Sequence, residues 1–376
     1  MICCEAPTQI LPEDYHFKNG HSKLIKVKDG VEIHLIHVNE GNLSQAQPSV
    51  ITEQVKRVNF NEPIIEPNKE KSANISNLRD NFLNLHFENF SSMIQSDMFD
   101  RKSEKNILYL NGSNKYGLTI MYKKPFSKLL TDESISPKST IFFIHGVGGN
   151  SLVWKHQLKY FAEQNYEMIA IDLIGHGKST KSKVFSHYEF IEICSHIRAV
   201  FDLFAKKNNI IIGHSYGSSF AVNLSQERRD LVQKVVLISG GMPYPLNYIN
   251  PALNTPLILF KLMKPFIDCH FFCSAFSPDF KEKNNDMFHI SAESLFYTMK
   301  GQHWQPNYSR TDYFKNQKVL LIEGSDDKFV PFQDAFEMMK SLDKGYLIRI
   351  ERGSHMVILE EPDILNKLIN LFINDT

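Results

Sequence analysis

This 376-residue sequence predicts an α/β chain, with a mostly parallel central sheet, helices on both faces and an insertion over one edge. Three observations carry that prediction. Short apolar runs arrive separately as "STIFFIHG", "EMIAIDL", "NIIIGHS", "KVVLISG", "KVLLIEG" and "YLIRIE". Neighbouring residues within each run are apolar, as in strands buried on both faces. Between the runs lie segments such as "SLVWKHQLKYFAEQ" and "FIEICSHIRAVFDLFAKK", whose apolar residues recur at helical spacing. Strand and helix in alternation are the pattern of a parallel sheet covered on both sides. The block from about 242 to 312, rich in Pro, Phe, Tyr and Met, breaks the rhythm without offering a core strand.

From the amino end, "MICCEAPTQILPEDY" has neither the basic flank nor the apolar core of a secretory leader. No apolar run reaches the roughly 18 residues of a membrane span, so the sequence reads as cytoplasmic. Cys3 and Cys4 are candidates for acylation and so for peripheral membrane contact, although two thiols on a loose end need no role. Two β-rich runs, Leu24 to Val27 and Val31 to Val38, flank Asp29-Gly30, which closes a tight hairpin in segment 1–38. Residues 39–104 are polar and rich in Asn, Ser, Glu and Gln, the composition of a flexible linker, with a helical patch at "NLRDNFLNLHFENF". The sheet-bearing domain then runs over 105–376, opening with two strands around an Asn-Gly turn in "ILYLNGSNKYGLTIMYK".

Composition narrows the function. Lys plus Arg and Asp plus Glu both number 42, so no net field favours nucleic acid. Five cysteines form neither a disulfide framework nor a metal spacing, and the fifteen histidines show no ligand spacing. No metal and no cofactor is expected, and protein partners are left open.

The chemistry centres on Gly213-His214-Ser215-Tyr216-Gly217, which fits Gly-x-Ser-x-Gly between a strand and a helical run. There a serine sits on a sharp bend, its hydroxyl exposed beside the positive end of the following helix. A serine chosen only for its size is the plainer reading. A hydroxyl nucleophile needs a base within hydrogen-bond reach and an acid to orient that base. "LLIEGSDDKFVP" and "IRIERGSHMVILEEP" supply these in the order Ser, Asp, His, with His355 after the last strand and Asp326 or Asp327 before it. Spacing alone leaves those two acids as alternatives.

The motifs "FFIHGVGGN", "IDLIGHGKST", "IIGHSYG", "SDDKFVP" and "RGSHMVILE" resemble those of the α/β-hydrolase fold family over residues 105 to 373. The resemblance implies Ser215 as nucleophile, His355 as base and Asp327 as acid. It also implies an oxyanion hole from the backbone N–H groups of Val147 and Tyr216, and a cap inserted after the sixth strand, here 242–312. His145, His176 and His214 then read as structural hydrogen-bonding residues. The expected activity is hydrolysis of lipid-like acyl esters, such as monoacylglycerols, without a cofactor. Family members that open epoxides use an aspartate where Ser215 stands. The His-x-x-x-x-Asp signature of acyl-transferring relatives is not met, because Glu360 occupies its acidic position. A catalytically silent binding or scaffold protein on the same fold is the alternative.

Overall fold

The computed structural model describes residues 20–39, 107–110, 118–122, 139–240, 251–280, 285–302, 314 and 317–374. Cys3, Cys4 and nearly all of the predicted linker 39–104 lie outside them, as do the Asn-Gly turn and parts of segment 242–312. The apolar runs form strands because each can bury both of its faces. In β5 (Thr140–Ile144) every residue is buried. Phe142 and Ile144 enter the core on one side of the sheet while Ile141 and Phe143 enter it on the other. Each such aromatic or aliphatic side chain contributes about 1.5–3 kcal/mol on burial.

Five further parallel strands join β5. They are β6 (Glu167–Ile171), β7 (Asn209–His214), β8 (Val232–Ile238), β9 (Lys318–Gly324) and β10 (Gly345–Ile350). Antiparallel pairs flank this parallel centre. On one edge lie β1 (Gly20–Lys28) and β2 (Val31–Val38); on the other lie β3 (Ile107–Leu110) and β4 (Leu118–Tyr122). The order across the sheet is β1-β2-β6-β5-β7-β8-β9-β10-β4-β3.

The hairpin therefore does not stand apart from the sheet-bearing domain. β2 pairs along β6, with Leu35 opposite Ile171, so residues 20–38 are the first two strands of the same sheet. Burial is the reason: Val31, Ile33 and Leu35 enter the main core at 1% exposure or less. Gly30, at φ 74°, closes the turn where a side chain would be strained.

Helices cover both faces. α1 (Lys155–Glu163) and the last helix described below pack on one face; α2 (Phe190–Phe204) and α3 (Tyr216–Glu227) pack on the other. The segment after β8 contributes α4 (Leu257–Ala275) and α5 (Ala292–Lys300). In chain order that insertion follows the eighth strand, because β3 and β4 intervene, yet β8 is the sixth strand counted from the hairpin edge. α6 (Phe332–Ser341) joins the α2 side, and α7 (Pro362–Asn374) lays Ile364, Leu365, Leu368, Ile369 and Phe372 against the α1 side.

Candidate active site

The turn between β7 and α3 consists of Ser215 alone, at φ 53° and ψ −122°. A non-glycine residue held there costs on the order of 1–3 kcal/mol, so its surroundings must enforce the geometry. Ser215 N donates to Ile238 O at 2.9 Å and Ser218 N donates to Ser215 O at 2.9 Å. The flanking glycines permit the close approach. A Cβ at Gly217 would lie 2.1 Å from Ile144 O, and one at Gly213 would lie 2.6 Å from Gly217 O.

His355 stands in the loop after β10, with Nε2 3.0 Å from Ser215 Oγ and Nδ1 2.8 Å from Asp327 Oδ2. With Nδ1–H donated to the carboxylate, Nε2 is left to accept from the serine hydroxyl. Asp327 Oδ1 accepts from Phe329 N at 2.8 Å and Val330 N at 3.0 Å. Burial opposes the charge on Asp327, but the bond from His355 and these two backbone bonds outweigh it and hold the pKa below its ordinary value. Asp326, the rival acid, is exposed and takes the Ser325 hydroxyl at 2.9 Å instead.

The base is fixed from behind as well. His214 Nε2–H donates to the His355 carbonyl at 2.9 Å, and its pKa is pushed down to about 3 by burial and by the neighbouring His355. His214 is therefore a neutral support. The Phe329 ring faces His355 at 5.0 Å and also touches Phe271 of α4 at 5.9 Å. Ala275 O, at the end of α4, accepts from Ser354 Oγ at 2.7 Å and Met356 N at 3.1 Å, on either side of His355.

The loop 145–149 lies over the elbow. A Cβ at Gly146 would be 2.8 Å from Ser215 Cβ and 3.3 Å from its Oγ. Val147 follows in this loop, and Tyr216 follows Ser215, its ring turned into the core against Phe220 at 4.4 Å. Tyr216 thus adjoins the serine in the chain, and Val147 follows Gly146, the loop residue that approaches it. His176 Nε2 accepts from Gly148 N at 3.1 Å, and His145 Nε2 accepts from Leu173 N at 2.9 Å. These two histidines anchor the loop to the segment after β6. Among the described residues no group of three His, Cys, Asp or Glu side chains could hold a metal ion.

With this geometry in view, the likeness to known proteins is specific. Residues 139–263 match the family model described as alpha/beta hydrolase fold. The chain is 39% identical over 242 residues to Protein ABHD8 of Mus musculus, covering 62% of this chain and 54% of that protein. The chain has the α/β-hydrolase fold, and residues 139–263 are similar to that family. It spans about half the length of the curated relatives it matches. A more distant relative is Epoxide hydrolase 1 of Caenorhabditis elegans, 26% identical over 269 residues, 63% of this chain and 65% of that one. Among solved structures, an esterase from Exiguobacterium antarcticum superposes with a TM-score of 0.55 at 19% identity, covering 68% of this chain and 96% of its own, which shows the shared fold. The stretch matched by the α/β hydrolase model contains the 145–149 loop and Ser215, whereas Asp327 and His355 lie beyond it.

Two buried polar residues are not singled out by the sequence. Asp172, 1% exposed, binds His34 Nδ1 at 2.6 Å, Ser151 N at 2.7 Å and Lys178 N at 2.8 Å. Its pKa falls far below the ordinary value because His34, His145 and Lys178 N outweigh the cost of burial. The only signal was its place in "IDLIGHGKST". Glu323, at the end of β9, is 1% exposed and accepts from Gly240 N at 3.3 Å through Oε1. Burial and the charge of Asp327 raise its pKa well above the ordinary value. Nothing in "KVLLIEG" distinguishes it from a surface carboxylate.

Proposed function

We propose that this chain is a serine ester hydrolase acting on lipid-like acyl esters such as monoacylglycerols. The observation that supports this reading best is the placing of His355 within hydrogen-bond reach of both Ser215 and Asp327, with the serine on a strained turn. Ser215 Oγ attacks the ester carbonyl as His355 Nε2 takes its proton, and Asp327 orients the imidazolium that forms. The oxyanion of the tetrahedral intermediate meets the backbone N–H groups of Val147 and Tyr216, the kind of preorganised donor that contributes most in such sites. His355 then protonates the leaving alcohol. Water, activated by the same base, attacks the acyl-enzyme and releases the acid, restoring Ser215.

The cap suits an acyl chain. Phe271, Phe272, Phe276 and Phe288 pack against one another above the site, and Phe329 joins them to His355. The fold likeness to an epoxide hydrolase does not extend to the nucleophile, since family members that open epoxides carry aspartate at this turn and this chain carries Ser215.

A fluorophosphonate probe tests the proposal directly, together with hydrolysis of p-nitrophenyl esters of increasing acyl length. Labelling and turnover in the wild type that vanish in a folded Ser215→Ala variant are the expected result. A wild type that neither labels nor turns over any ester, with a smaller phosphonate giving the same answer, would transfer support to the silent scaffold.

A further inference from the structure

The cap helix α4 has a second face that the site does not use. Its exposed positions begin at Ile258 and end at Cys273. At about 100° per residue they fall within one arc of roughly 180°. The middle of that arc is apolar: Ile258 is 70% exposed, Leu262 69% and Phe266 78%, with Leu259 at 43%. Pro265, Cys269 and Cys273 complete it. Lys261 and His270 stand at its two margins, and no exposed position of the helix carries a carboxylate. The helix's one acid, Asp268, lies outside the arc and is tied to Lys264 at 2.5 Å.

We propose that α4 docks its outer face onto a lipid bilayer bearing anionic headgroups, lying in the plane of the interface. An apolar arc with a lysine at its margin is the pattern of a helix that sinks its side chains to the acyl boundary and lets the ammonium group reach the headgroups. Charge selects this occupant: an anionic surface complements Lys261 and meets no carboxylate at an exposed position of the helix. Spanning is not the mode, since no helix among the described residues is long and apolar enough to cross a membrane.

The helix that carries the docking face also borders the site. The opposite side of the same helix carries Phe271, which reaches His355 through Phe329, and the helix ends at Ala275 O, bonded on both sides of His355. An ester leaving the bilayer beside α4 would meet Phe271 and Phe329 on its way to His355. Delivery of substrate rests on the proposed esterase activity; the docking itself does not.

Vesicle flotation of the full chain carrying Ser215→Ala tests docking without reference to catalysis. Phosphatidylcholine vesicles with and without phosphatidylserine are compared, and the pair Leu262→Asp and Phe266→Asp is introduced together. Binding that requires phosphatidylserine and falls about tenfold or more in the double variant is expected. Lys261→Glu should lower it by a smaller factor, on anionic vesicles only. An unchanged thermal midpoint shows that the double variant is folded. The inference is overturned if the parent chain stays unbound, or if the double variant floats equally well, which would move the contact elsewhere in the chain. It is also overturned if gel filtration shows a dimer that the double variant abolishes while vesicles bind neither form. A Ser215→Ala parent that stays unbound, while the chain with Ser215 turns over p-nitrophenyl butyrate, removes only this inference. The reverse pattern removes only the proposed activity.

Discussion

Ser215, His355 and Asp327 form one hydrogen-bonded string, with contacts of 3.0 and 2.8 Å. Ser22, His34 and Asp172 form another, with contacts of 2.7 and 2.6 Å. Each acid follows the carboxyl end of a parallel strand, and each histidine is nearly buried. The second string is the tighter of the two, yet it lacks what would make a nucleophile. Ser22 sits in a regular ladder opposite Ile36 on the edge hairpin, whereas Ser215 is bent to φ 53° at the start of α3 beneath the 145–149 loop. Asp172 also spends its oxygens on Ser151 N and Lys178 N, which fastens loops. The comparison teaches that backbone placement, more than the order of hydrogen bonds, separates the proposed nucleophile Ser215 from Ser22.

The sharpest way to break this comparison is to delete each hydroxyl. Ser215→Ala should lower kcat by roughly 10⁴-fold or more and abolish fluorophosphonate labelling, while Ser22→Ala should change kcat by less than about twofold. Equal losses on p-nitrophenyl butyrate would mean that the elbow does not distinguish the strings.

The two acids should separate next. Asp327→Asn should cost about 10³–10⁴ in kcat with a smaller loss of stability, because it disturbs the tautomer of His355 while the amide oxygen can still accept from Phe329 N and Val330 N. Asp172→Asn should cost about 3 kcal/mol in urea unfolding, since it leaves His34 and two buried backbone donors facing a weaker acceptor.

Acid sharpens the contrast between the buried supporting histidines and the proposed base. His176 and His214 are neutral in the fold, their pKa values pushed down to about 3 from 6.5, first by burial and then by neighbouring histidines. The unfolded chain binds protons at these residues below 6.5 and the folded chain does not. Stability should therefore fall as pH drops from 6.5 toward 3, by roughly 1 kcal/mol per pH unit for each histidine. Urea midpoints from pH 7 to pH 5 measure the slope, and His176→Gln should flatten it by about one proton. An unchanged slope would show that His176 is not buried neutral.

Glu323 predicts a smaller effect of opposite sign. With its folded pKa raised by burial and by Asp327, the fold holds a proton that the unfolded chain releases above 4.5. That group favours the fold at low pH and costs stability as pH rises past 4.5. Glu323→Gln should therefore gain about 1 kcal/mol at pH 7 relative to pH 5 in the same urea series.

Much of the site is legible in the sequence because its local chemistry is local in sequence. Gly213 and Gly217 mark a turn that only small residues permit, and "FFIHG" and "RGSHM" place a loop and a base directly after apolar strands. The acid was less legible. Asp326 and Asp327 are neighbours of identical chemistry, and the choice falls to Asp327 because its carboxylate faces His355 while Asp326 turns to Ser325. Asp172 and Glu323 were invisible, since the partners that define Asp172 include His34, 138 residues away.

The edges of the sheet and the faces of the cap obey the same division. The alternating apolar runs and the Asp29-Gly30 turn determined by themselves that there would be buried parallel strands and an amino-terminal hairpin, because burial on two faces and a turn with positive φ are properties of a few adjacent residues. Only the tertiary structure decided that the hairpin completes one edge and β3–β4 the other. It alone turned Phe271 of α4 toward Phe329 and His355 while leaving Ile258, Leu262 and Phe266 outside. An apolar side chain satisfies a core and an interface equally well, and which one it meets depends on what distant segments place beside it.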